Sequence, residues 1–228
     1  MEENQLSVAG SSQSMLGEYL GLFASTEVFI YVFMEIATKI ETIQRVIFRK
    51  ARLSDYIVFI LIYGLFSIFG TYIGIPGSYG SISNIRDLAP MVAGLVAGPY
   101  VGLAVGLIGG IHRFFLGGLS CIPCSMATVL AGLFAGLIYL LNKEKLLGII
   151  PAMLFAVAIE LIHAGLIVLL MVPYSAALDL VLTSIPEMTI ANSLGLGICI
   201  IIVRKFTEDI SPIWKSVAPS SLAKRIIM

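Results

Sequence analysis

Leu88-Ala-Pro-Met-Val-Ala-Gly-Leu-Val-Ala-Gly98-Pro99-Tyr-Val-Gly-Leu-Ala-Val-Gly-Leu-Ile-Gly-Gly-Ile-His112-Arg113-Phe-Phe115 is apolar for most of its length and carries a Gly-Pro pair near its middle. Proline has no N–H and disfavours helix at the residue before it. It is also at home in the first position of a new helix. The stretch is therefore either one kinked span or two half-length helices folded into a re-entrant hairpin. Residues 87–97 would rise about 16 Å as a helix, well short of a hydrocarbon core of about 30 Å.

The surrounding sequence is of the same kind. The 228 residues are 58% hydrophobic and 12% charged, with a mean hydropathy of +1.00. A soluble domain is about twice as charged, so soluble, disordered and nucleic-acid-binding chains are excluded. Other apolar runs cover 19–38, 56–75, 122–141, 147–172 and 178–203. They are too long for buried strands and lack the alternation of an outer-membrane barrel. The expected architecture is an all-α polytopic membrane protein of about five full spans plus the broken hairpin. Asp55 is placed as the N-cap of the second run. A polar tail (1–14) lacks the basic start of a signal peptide, and a tail over 206–228 follows the last run.

Positive charge separates the two readings of 88–115. Lys39, Arg45, Arg49, Lys50 and Arg52 follow the first run and mark a cytoplasmic segment. With a full span at 88–115, eight Lys and Arg fall outside and six inside; with a hairpin, two fall outside and twelve inside. The hairpin is favoured, with the N-terminus outside and the C-terminus cytoplasmic in the cell membrane. The 76–86 and 116–120 loops then share the outer side, opposite 142–146.

The two exceptions are Arg86 and Arg113, one at each end of the hairpin. An arginine at mid-membrane costs roughly 2.5–3.5 kcal/mol, so both call for a partner. Asp87 neutralises only one, and the expected complement is an anion in an outward-opening pocket, because a guanidinium matches a carboxylate fork. Snorkelling to headgroups is the plainer alternative.

The elements Asn84-Ile85-Arg86, Val92 through Leu103, Gly109-Gly-Ile-His-Arg113-Phe-Phe-Leu-Gly-Gly118, Glu160 and Asn192-Ser-Leu-Gly195 resemble the LytS-type five-transmembrane receptor domain, the membrane input of bacterial sensor histidine kinases that include pyruvate-sensing members. The likeness covers roughly residues 31–205. By motif position it assigns ligand contact to Arg86, Arg113 and Cys124, with Asn84 in the same motif. A serine of the pyruvate-sensing relatives falls on Ala127, with Ser125 and Thr128 beside it, and this departs from pyruvate while retaining a small carboxylate. Pro186 stands six residues before Asn192 where relatives have five. The resemblance implies a sensor. The kinase segments of the relatives have no counterpart in these residues, so the expectation is a non-catalytic receptor that signals through a separate kinase or other cytoplasmic protein.

The remaining features have plainer readings beside functional ones. Gly94, Gly98, Gly102, Gly106 and Gly110 form a small-residue stripe suited to close helix packing, with the bare backbone at 109–110 open to an anion as the alternative. Cys121-Ile-Pro-Cys124 lacks the soluble context of a redox motif; zinc, with only His112 nearby, is weaker. Glu160 and His163 share a helix face and are read, with Asn192, as intramembrane polar residues; Glu187 is expected on the same face. Glu27 and Glu35 have no evident counter-charge. The expected partners are a small carboxylate, the lipid bilayer and the cytoplasmic signalling protein, with a homodimer as a further option. No cofactor, metal ion or nucleic acid is expected. A solute carrier similar in pattern to the substrate-binding subunits of energy-coupling-factor transporters is the competing function.

Overall fold

The computed structural model describes residues 21, 23–76 and 82–217. The polar tail over 1–14 and the last residues, including Lys224 and Arg225, lie outside the described residues. Helix α1 covers 23–37. It is followed by α2 (Glu41–Ile47), α3 (Leu53–Tyr72), the two-residue strands β1 (Ile75–Pro76) and β2 (Ile82–Ser83), then α4 (Leu88–Ala97), α5 (Pro99–Phe115), α6 (Cys121–Leu141), α7 (Ile149–Leu170) and α8 (Tyr174–Val217). The strands pair antiparallel, Ile75 opposite Ser83. Helices α3, α6, α7 and α8 are each long and apolar enough to cross a membrane. Large apolar side chains such as Leu65, Phe115, Leu169 and Leu182 are exposed around the bundle, as a lipid-facing surface requires. The protein is an all-α polytopic membrane protein.

The Gly-Pro pair makes the hairpin. Gly98 adopts φ +91°, a conformation that favours glycine, and Pro99 opens α5. The arms are unequal, which corrects the expectation of two half-length helices. α4 has 10 residues and α5 has 17, about 15 and 26 Å. The short arm is preceded by β2 and the irregular residues 84–87, which take up the rest of the depth. The turn reaches the far end of α6, where an added Cβ on Gly98 would lie 3.4 Å from the Tyr139 ring. The small-residue stripe is a packing device: a Cβ at Gly94 would meet the Gly132 carbonyl at 2.6 Å, and one at Gly102 would overlap it.

One end of the bundle gathers the basic residues. Arg49 pairs with Glu144 at 3.0 Å, and Phe48 packs on Phe206 with ring centroids 5.8 Å apart, so the 41–52 segment, the α6–α7 loop and distal α8 meet there. The hairpin ends and the 116–120 loop lie at the opposite end, where Tyr72 Oη stands 3.1 Å from His112 Nε2.

Two boundaries differ from expectation. α3 starts at Leu53 and Asp55 is its third residue. From there its Oδ2 reaches back to accept the Arg52 N–H at 2.8 Å, while its Oδ1 accepts from Arg45 Nη1 at 3.2 Å. α8 runs unbroken from Tyr174 to Val217, through Pro186 and through the expected boundary at 205/206. Its 44 residues measure about 66 Å, twice a hydrocarbon core. The charges from Arg204 to Asp209 end the apolar span but do not interrupt the helix, because Lys, Arg and Glu are good helix formers.

Candidate functional site

Residues 84–87 cross the interior between β2 and α4, and their side chains enter a polar layer shared by α6, α7 and α8. Gly70 on α3 makes room for them: a Cβ there would meet the Ile85 carbonyl at 3.2 Å. Gly109 on α5 makes room for two residues that bond to the segment: a Cβ there would overlap Ser67 Oγ and lie 3.2 Å from the Thr128 methyl. Ser67 Oγ donates to the Arg86 carbonyl at 3.0 Å, and Asn84 Oδ1 accepts the Arg86 N–H at 3.0 Å. The backbone of the Asn-x-Arg element is thus fixed before its side chains are considered.

Arg86, Asp87, Arg113, Thr128, Glu160, His163 and Asn192 are all 1% exposed or less. This removes snorkelling, since neither arginine reaches a surface. It also corrects the expected outward-opening pocket, because both guanidiniums are enclosed by protein. Arg86 Nε donates to Thr128 Oγ1 at 2.7 Å, and that hydroxyl donates to Asp87 Oδ1 at 2.6 Å. Arg86 Nε also lies 3.5 Å from Asp87 Oδ1. Arg86 Nη1 and Nη2 are buried with no hydrogen-bond partner among the described residues. Arg113 is held differently. Its Nη1 donates to the Gly117 carbonyl at 2.6 Å and its Nη2 to Ser120 Oγ at 3.0 Å. Gly117 has φ +72°, which turns the loop back over the end of α5. Thr128 Oγ1 also lies 3.0 Å from the Cys124 carbonyl, one turn back on α6.

On the other side of Asp87 the layer continues into α7 and α8. His163 Nδ1 is 3.4 Å from Glu160 Oε2 and 3.8 Å from Asp87 Oδ2, and its Nε2 is 3.3 Å from Cys124 Sγ. Asn192 Nδ2 donates to Glu160 Oε1 at 2.8 Å and to the Asn84 carbonyl at 3.3 Å. Glu160 therefore faces the interior and α8. An oxygen of Asp87, an oxygen of Glu160 and a nitrogen of His163 lie within 4.8 Å of one another. In sequence the only grouping that suggests zinc is the cysteines with His112; this trio is not legible there, because Asp87 is 73 residues from Glu160 and stands beside Arg86.

Other expected members fall elsewhere. Ser125 is one residue beyond Cys124 and so turned about 100° around α6; it lines an apolar groove with Gly110, Phe114 and Met126. Glu187 is exposed and does not join Glu160, since a five-residue offset from Asn192 rotates it to another face. Glu35 has a counter-charge after all, Lys39 at 4.0 Å. Both Glu27 carboxylate oxygens are buried without a hydrogen-bond partner among the described residues, and one would lie 3.7 Å from a Cβ on Gly195.

Residues 40–206 match the family model described as 5TMR of 5TMR-LYT. The chain is 31% identical over 140 residues to the sensor histidine kinase BtsS of Escherichia coli K12, covering 59% of this chain and 25% of that protein. It is 33% identical over 165 residues to the sensor protein LytS of Bacillus subtilis 168, covering 64% of this chain and 28% of that protein. Over 81 residues it is 43% identical to the sensor histidine kinase YpdA of Escherichia coli K12, covering 35% of this chain and 14% of that protein. The chain thus spans about a quarter of the length of the first two. No solved structure matches it. With the family model matched over the hairpin, the buried arginines and the Glu160–Asn192 contact, the chain belongs to the 5TMR-LYT family of membrane sensor regions.

Proposed function

We propose that this chain is the ligand-binding membrane region of a two-component-type sensor, and that it takes a small carboxylate from the outer side at Arg86, with Arg113, Cys124, Thr128 and Asn84 around it. The observation that carries this reading is the Arg86 guanidinium, fully buried, with both terminal nitrogens unmatched among the described residues. Buried guanidinium nitrogens left without acceptors carry their desolvation cost even though Nε is bonded, and a carboxylate supplies two acceptors in the geometry of that fork. Arg113 acts chiefly by holding the 117–120 loop over the site.

Transmission follows from the same contacts. Asn192 ties α8 to Glu160 and to the Asn84 carbonyl, two residues from Arg86. A ligand that shifts the 84–87 segment therefore acts directly on α8, which continues far past the basic end of the bundle toward a cytoplasmic kinase module. Such a shift requires different ligand affinity in the two arrangements.

Isothermal titration of the purified protein with a panel of small carboxylates tests binding. Saturable binding that is lost in Arg86→Ala and not restored in Arg86→Lys is expected, because a point charge does not replace the planar fork. Equal binding by all three proteins would remove the reading. Orientation is tested separately. In a cysteine-free background, Leu119→Cys should label from outside the cell and Lys145→Cys only from the cytoplasm; labelling of both from outside would remove the hairpin topology.

A further inference from the structure

Arg86 is not the only unmatched group in the buried layer. Asp87 Oδ2 and Asn192 Oδ1, on residues that are 0% exposed, also have no hydrogen-bond partner among the described residues. The unmatched set therefore consists of two donors on Arg86 and two acceptors. The Asn192 amide does not flip to relieve this. Its nitrogen already donates to the Glu160 carboxyl group and to the Asn84 carbonyl, and a carbonyl accepts only. Asp87 Oδ2 has His163 Nδ1 at 3.8 Å, beyond hydrogen-bond distance, and that nitrogen is closer to Glu160 Oε2.

The donors and the nearer acceptor are adjacent. Arg86 Nε is 3.5 Å from Asp87 Oδ1, and both contact Thr128 Oγ1. The unmatched Nη atoms and Oδ2 are each two covalent bonds from that pair, through Cζ and through Cγ, which keeps them within the span of one small ligand. A plain carboxylate would satisfy Arg86 and leave Asp87 Oδ2 facing a second anion. A 2-oxo group beside the carboxylate would set acceptor against acceptor. A hydroxyl or ammonium on the same carbon satisfies both sides at once. An ammonium also leaves the net charge of the layer unchanged. We infer that the ligand of this site is a carboxylate bearing a hydrogen-bond donor, hydroxyl or ammonium, on the adjacent carbon, with Arg86 on the carboxylate and Asp87 Oδ2 receiving the donor.

This rests on the carboxylate reading above and narrows it. The test is titration calorimetry of the full chain in nanodiscs with four three-carbon acids: propanoate, 2-oxopropanoate, 2-hydroxypropanoate and 2-aminopropanoate. At least one donor-bearing acid should bind about tenfold or more tighter than both propanoate and 2-oxopropanoate, the value of one added hydrogen bond to a charged group. Asp87→Asn should erase that preference or turn it toward 2-oxopropanoate, since its amide N–H donates. If Asp87→Asn does not fold, the wild-type ranking decides by itself. Tightest binding of 2-oxopropanoate or propanoate overturns the donor requirement and leaves the carboxylate reading standing. A preference that vanishes in EDTA assigns the acceptors to a divalent cation and also overturns it. Binding of none of the four removes both.

Discussion

The molecule holds its arginines in two different ways. At the basic end, Arg49 and Glu144 are each about half exposed and paired at 3.0 Å, and Arg45 bonds to Glu41 at 2.6 Å and to Asp55 at 3.2 Å. In the interior, Arg86 and Arg113 are enclosed, and Arg86 keeps two nitrogens unmatched among the described residues. The first pairs sit in high dielectric, where water replaces either partner at little cost. The second two sit in a buried layer, where a missing bond carries a desolvation penalty. Basic residues gather at one end, and the arginine buried with unmatched donors is the basis of the proposed ligand site.

The sharpest way to break this contrast is to remove one interior partner. Asp87→Ala deletes the only carboxylate within salt-bridge distance of Arg86 among the described residues and leaves the Thr128 hydroxyl without its 2.6 Å acceptor. Breaking a buried pair in this way costs about 3–5 kcal/mol. Thermal unfolding in detergent should show Asp87→Ala as the largest loss among single charge deletions. A loss no greater than that of Glu144→Ala would mean that the interior layer is solvated after all.

Next in size is the effect on binding. Arg86→Ala should weaken a bound carboxylate by roughly ten- to over a hundredfold, from about 1.5–3 kcal/mol per charge-assisted bond. Arg113→Ala should act more weakly on affinity, because its Nη1 and Nη2 donate to the Gly117 carbonyl and to Ser120 Oγ. Equal losses in the two variants would place Arg113 on the ligand beside Arg86.

What the sequence made legible divides along the same line. The hairpin could be read because a Gly-Pro pair and the distribution of lysine and arginine are local or additive signals, and both survive in the structure at Gly98, Pro99 and the basic end. Glu160 with His163 could be read because three residues on a helix share a face. Asp87 could not be assigned, since whether its carboxylate caps α4 or turns to Thr128 is settled by α6, forty residues away in sequence. Ser125 falls off the site because a motif match gives a neighbourhood while one residue of offset rotates a side chain about 100°, and Glu187 falls off it because five residues from Asn192 is not a helical repeat. The length of α8 was hidden because hydropathy marks where a span ends and is silent about where a helix ends.

Within the interior layer the two buried carboxylates of α7 and α1 provide a finer comparison. Glu160→Gln keeps the shape and the acceptor for Asn192 Nδ2 at 2.8 Å, but alters the contact with His163 Nδ1 at 3.4 Å. It should cost about 1–2 kcal/mol of stability and uncouple α8 from the ligand. Glu27→Gln has no such partner among the described residues to lose and should be neutral or stabilising, because it removes a carboxylate from an apolar contact with α8. Thermal shifts in opposite directions support the distinction; a larger loss for Glu27→Gln would give that residue a role the Glu160 contact lacks.

The smallest expected effect is also the control for the whole contrast. Arg49 and Glu144 pair across the basic end at 3.0 Å, and the Arg49 guanidinium lies 5.5 Å from the centroid of the Tyr139 ring. Both charged groups are about half exposed, so the pair competes with water and with salt. Double-mutant cycles on such pairs give about 0.2–1 kcal/mol, and the Debye length falls from about 10 Å at 0.1 M to about 3 Å at 1 M. A cycle of Arg49→Ala and Glu144→Ala should therefore give a coupling below about 1 kcal/mol that fades as salt is raised. The Tyr139 stack should leave Arg49→Ala slightly more costly than Glu144→Ala, since cation–π contact is not removed with the carboxylate. The corresponding cycle of Arg86 and Asp87 should be several times larger and nearly unchanged by salt, because no counter-ion reaches a layer that is 0% exposed. Similar salt dependence in the two cycles would place both pairs in the same solvent and dissolve the difference on which the ligand site rests.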